Sequence, residues 1–112
     1  MKHNDIEITC EVLWVSNDAR MPINGAGPVS VRNALVRQTD ERGGRKLLLV
    51  TIPKKVADKC AVRVGDIGIM RFYVTGVFLN GDFRNLAIGV SFTYTASANY
   101  KRFADASQNQ QI

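Results

Sequence analysis

The sequence predicts an all-β domain, a barrel of five strands with one short helix between the third and the fourth. Three observations carry that prediction. Apolar residues alternate with polar ones in strand-length runs, glycine-bearing turns separate those runs, and one stretch after Pro53 changes to helical spacing.

Ile6, Ile8, Cys10, Val12 and Trp14 alternate with Glu7, Thr9, Glu11 and Leu13, which predicts a first strand with one face buried. Asn17 to Pro28 carries two Gly, two Pro, two Asn and Asp18 and reads as a long loop. A second strand is expected over Val29 to Thr39. Asp40-Glu41-Arg42-Gly43-Gly44 then supplies a hairpin turn, since glycine takes positive φ without steric cost. Arg45 to Ile52 is rich enough in Leu and Val to be a third strand buried on both faces.

Pro53 ends that strand, and Lys54 to Ala61 follows with Val56 and Cys60 on one helical face. Val64-Gly65-Asp66 turns the chain into a fourth strand, Ile67 to Leu79. There Met70, Phe72 and Val74 point inwards, and Arg71, Tyr73 and Thr75 outwards. Asn80-Gly81 is a strong two-residue hairpin signal, and Phe83 to Thr95 returns as the fifth strand. Five strands with a helix between the third and fourth is the connectivity of the OB-fold barrel; an SH3-like barrel has no helix there.

The 112 residues leave room for one core, assigned to 1–96, with 97–112 a polar and partly disordered tail. No repeat, leader or membrane-length apolar run is visible, so a cytoplasmic protein is expected. Cys10 and Cys60, each in phase with apolar neighbours, read as buried, reduced, inert thiols. A single His near the terminus, scattered acids and no phosphate-binding glycine loop argue against an enzyme, a metal site or a cofactor.

The net charge of +5 is unevenly spread. From Arg32 to Arg63 nine Lys or Arg stand against three acids, a balance of +6 that leaves the rest of the chain at −1. A basic segment on a near-neutral remainder suits a polyanion partner, and a solvated basic surface is the plain alternative.

Leu47-Leu48-Leu49-Val50-Thr51-Ile52-Pro53-Lys54-Lys55-Val56-Ala57-Asp58-Lys59-Cys60, then Val62-Arg63-Val64-Gly65-Asp66 and Val74-Thr75-Gly76-Val77-Phe78-Leu79-Asn80-Gly81, resemble the third strand, helix and fourth-strand hairpin of a known family. That family is the single-stranded-DNA-binding OB-fold proteins, with the bacterial single-strand binding proteins, their primosomal relatives and small phage or mobile-element domains. The resemblance covers most of residues 6 to 95. It departs where Arg45 and Lys46 replace the family's aromatic, and where Gln-Asn-Gln-Gln-Ile replaces its acidic, Phe-ended tail.

Binding a single strand needs cations for phosphates and flat side chains for bases. The candidate cations are Arg20 in the long loop, Arg32 and Arg37 on the second strand, Arg45 and Lys46 at the turn, and Lys54 and Lys55 opening the helix. Arg71 and Arg84 complete the set. Arg32 and Arg37 differ by five positions, so a regular strand puts them on opposite faces. The candidate rings are Tyr73, which either stacks a base or shields the barrel wall, and Phe78 with Phe83. The latter two flank a hairpin too narrow to bury both, which leaves a stacking platform or an oligomer contact. Trp14, in phase with Cys10 and Val12, is expected in the core, with the binding face at the end of the first strand as its alternative. These readings predict a non-catalytic, sequence-independent single-stranded DNA binder, self-associating as a dimer or tetramer. The alternatives are an OB-type protein-interaction module and an RNA binder.

Overall fold

In a computed structural model of the chain, the residues described are 5–23, 27–39 and 46–97. Seven elements follow in order: β1 (Ile6–Val15), β2 (Ala19–Met21), β3 (Val29–Gln38), β4 (Leu47–Pro53), α1 (Lys54–Lys59), β5 (Asp66–Leu79) and β6 (Asp82–Ser97). The fold is all-β with one short helix. Five of the strands close a ring in the order β1-β5-β6-β4-β3, with β3 pairing back to β1. All neighbours are antiparallel except β4 and β6, which meet in parallel at Val50–Ala87 and Thr51–Ile88.

β2 lies within the stretch expected to be loop. Its three residues are too few to show an alternation, yet they pair with Val29–Val31 and extend β3 into an arm. β1 and β2 therefore share one edge of β3. The corner between them is held by Ser16, whose N–H donates to the Asn33 carbonyl at 2.8 Å and whose Oγ accepts from the Asn33 N–H at 2.9 Å.

The ring interior is filled by alternate residues of every ring strand: Cys10 and Val12, Ala34 and Val36, Val50 and Ile52, Met70 and Phe72, Ala87 and Phe92. α1 lies between β4 and β5 in the chain and spans six residues, ending before the expected Ala61. Val56, Ala57, Cys60 and Val62 from the helix and the turn after it pack against this cluster. Cys10 is fully buried, and burial pushes its thiol up to about 11. Cys60, expected to be buried, is only half-buried, because the helix lies on the cluster rather than within it.

Two expectations fail for reasons of register. β1 bulges between Val12 and Trp14, so two residues of β1 oppose one of β3 and the alternation reverses. Val15 turns inwards against the core, and Trp14 turns out with 49% of its surface exposed. β4 is covered on one face only: Leu48, Val50 and Ile52 point inwards, while Leu47 and Leu49 are 59% and 51% exposed on the other.

The β5–β6 hairpin runs beyond the ring. β1 pairs with β5 only as far as Phe72, and β4 with β6 only at Ala87 and Ile88. Val74, in phase with the interior, is exposed because it lies past that point. Asn80 and Gly81 both have positive φ, 52° and 84°, which matches the right-handed twist of the ribbon. A Cβ on Gly76 would come within 2.3 Å of the Phe83 ring, so glycine there lets the ring lie across the ribbon. The expected turn at 40–44, Arg45 and the tail from 98 fall outside the described residues. The flanking strands do pair, Arg37 with Leu47, and the Gln38 N–H donates to the Lys46 carbonyl.

Candidate nucleic-acid interface

The outer face of β3 and β4 is built from cross-strand rows, because directly paired residues project to the same side of a sheet. Glu11, Arg37 and Leu47 form one row, Trp14, Leu35 and Leu49 the next, then Asn33 with Thr51, then Val31 with Pro53. The Asn33–Thr51 row continues through Ile88 of β6 to Tyr73 of β5.

Three of the expected cations are held by carboxylates. Arg37 faces outwards and its Nη2 donates to Glu11 Oε1 at 2.6 Å; the Glu11 side chain is nearly buried. Arg71 donates to Asp5 at 2.9 Å and lies 3.3 Å from Glu7. Arg32 has the interior phase, as its five-residue offset from Arg37 requires. It stays solvated because β3 reaches the open end of the ring there, where Arg32 Nε donates to Asp18 Oδ1 at 2.7 Å. That hydrogen bond, and then the charge behind it, hold the Asp18 carboxyl below its ordinary range. Arg20 projects from the arm and donates to the Pro28 carbonyl at 3.2 Å.

Among the described residues, Lys46, Lys54, Lys55 and Arg84 have no carboxylate within ion-pair distance. Lys46 precedes β4 and Lys54 follows it. The two lie roughly 25 Å apart along the strand at ~3.3 Å per residue. Lys54 and Lys55 open α1, whose first turn contains no acid. Cations at a helix start oppose the helix dipole, so helix stability does not account for them.

Tyr73, Lys54 and Lys55 meet in one place. They line a cleft of about 290 Å³ whose remaining walls are Ile23 beyond β2, Val29 and Ser30 of β3, and Pro53. Val31, Thr51 and Ile88, all outward by phase in this region, are nonetheless buried and stand outside the interior cluster. Thr51 Oγ1 donates to Asn33 Oδ1 at 2.9 Å, which satisfies that hydroxyl at its buried position.

Phe78 and Phe83 stand apart at the hairpin tip, 70% and 61% exposed, their rings edge to face with centroids 5.4 Å apart. Arg84, beside them in sequence, is exposed on the same ribbon. The structure thus sorts most of the candidates into a cleft with Lys54, Lys55 and Tyr73, a hairpin tip with Phe78, Phe83 and Arg84, and arginines engaged by acids; Arg20 on the arm and Lys46 before β4 join none of these. Sequence reasoning favours the core for Trp14 and leaves it off the site, whereas the structure exposes its ring. The available signal was the run Val12-Leu13-Trp14-Val15, four apolar residues that strict alternation does not produce.

No protein-family model, curated protein or solved structure matches this chain. By fold and surface it is a small all-β domain with a closed ring of five strands, whose outer face carries an exposed Trp, a Tyr and, among the described residues, lysines without acid partners. Among the described residues no helix is long and apolar enough to cross a membrane, and no group of three or more His, Cys, Asp or Glu could hold a metal ion.

Proposed function

We propose that the chain is an OB-fold domain that binds single-stranded DNA without catalysis and largely without regard to sequence, in replication, recombination or repair. The connectivity supports the fold reading: in chain order the ring strands pair first with second, second with third, first with fourth and fourth with fifth, and the third meets the fifth in parallel. The OB fold binds oligonucleotides on the face of its second and third strands, here β3 and β4. One observation carries the function. Among the described residues, Lys46 before β4 and Lys54 and Lys55 after it have no carboxylate within ion-pair distance; Lys54 and Lys55 line a cleft with Tyr73, and Trp14 is a second ring on the outer face. Cations and stacking surfaces along one groove are what a single strand of any sequence requires.

The test is a titration with oligo-dT at low and high salt, read by Trp14 fluorescence. Quenching, with affinity that falls as salt rises, is expected. Absence of binding at low salt overturns the proposal. A matched oligo-U competition decides DNA against RNA. The exposed Leu47, Leu49, Phe78 and Phe83 favour a second reading, a protein-interaction or self-association surface. A dimer or tetramer in sedimentation supports self-association, and a monomer at micromolar concentration removes it.

A further inference from the structure

We infer that the cleft between the β2–β3 arm, the start of α1 and Tyr73 is a discrete subsite for one nucleotide, which rests on the single-strand reading above. A phosphate sits between Lys54 and Lys55, and the base lies against Tyr73. At about 290 Å³ the cleft stands at the small end of ligand sites, suited to one nucleotide and not to several.

Its walls divide by chemistry. Lys54 and Lys55 bring two ammonium groups that, among the described residues, have no ion-paired acid, while Ile23, Val29 and Pro53 form an apolar wall and Tyr73 a flat one. A bare anion would use only the lysines, and an apolar ligand only the wall. A nucleotide unit, an anionic phosphodiester joined to a flat heteroaromatic ring, uses both. Two acids, Asp18 and Asp58, share a neighbouring hollow with Lys54; Asp18 is bonded to Arg32, and Asp58 is not within ion-pair distance of Lys54. The sheet next to the lining is closed: Val31, paired with Pro53, and Ile88, paired with Tyr73, are buried, and Thr51 is satisfied by Asn33. The walls that a base would meet are therefore backed by packed side chains. The site consists of side chains from three separate parts of the chain, which no single segment announces.

Two probes test the subsite. With oligo-dT, Lys54→Ala combined with Lys55→Ala should lower the slope of log K against log salt by about 0.7, for the one phosphate that is no longer neutralised. Tyr73→Leu should weaken binding about 5–150-fold at every salt concentration, and Tyr73→Phe, which keeps the ring, should bind as wild type. Melting each variant without ligand shows whether a loss comes from unfolding. With dTMP alone, the amide resonances of Ser30, Lys55 and Tyr73 should shift in the wild type and not in the lysine variant. If oligo-dT binds all variants as wild type, the subsite is overturned while single-strand binding stands. If oligo-dT fails to bind the wild type but dTMP still shifts those amides, the strand reading falls and the nucleotide site survives. If neither probe binds, both fall.

Discussion

The outer face of β3 and β4 has two halves that share strands and curvature but differ in what they leave open to solvent. In the half around Trp14, Leu35, Leu47 and Leu49, apolar side chains are exposed and the central cation, Arg37, is tied to Glu11. In the half around Val31, Thr51 and Tyr73, the outward apolar residues are buried and the lysines stand without acid partners among the described residues. The first half offers area, the second offers charge and shape. Net charge counted along the chain cannot make that distinction, because a carboxylate on a neighbouring strand can cancel an arginine that looks available in sequence.

The largest expected effect comes from removing what both halves rest on. Ile52 is 2% exposed in the ring interior, and Ile52→Ala should cost about 2–5 kcal/mol in a denaturant titration. A loss well under that range would mean the ring does not pack over Ile52. Trp14→Leu probes the apolar half. It should weaken oligo-dT binding by about 1–3 kcal/mol at all salt concentrations. Its stability should change by no more than about 0.5 kcal/mol, because half of that side chain is already in water. A large fall in melting temperature would show that Trp14 packs as a core residue after all.

Glu11→Gln asks whether the difference between the halves is one carboxylate. Leaving Arg37 without its ionic partner should cost about 1 kcal/mol of stability. It should also return a cation to the surface, raising the salt slope of oligo-dT binding by about 0.7. An unchanged slope would show that Arg37 lies off the path of the strand. The smallest effect is chemical: at pH 8 a disulfide reagent should modify Cys60 in the folded protein and reach Cys10 only on unfolding. Cys10 is fully buried with its thiol raised to about 11, whereas Cys60 is only half-buried over the ring. Equal rates at both would mean that β1 opens readily from the ring.

Alternation and turn chemistry were enough to place five strands, one helix and the Asn80–Gly81 hairpin. They are local signals: a period of two reports which residues share a face, and positive φ reports where the chain can reverse. The same signals placed Tyr73 outside, Met70 and Phe72 inside, and Arg32 and Arg37 on opposite faces. Which face of β4 would be covered was not legible, because Leu47 to Ile52 is almost wholly apolar and only the ring decides which side is interior. Nor was the reversal at Trp14, since a bulge is set by pairing with β3 and leaves only a short apolar run in the sequence. Tertiary structure alone joined Glu11 to Arg37 across 26 positions, and brought Tyr73 to Lys54 and Lys55 across the arm and the sheet. Charge and ring are properties of a residue and can be read one at a time. Availability and convergence are properties of neighbours, and those exist only once the ring has closed.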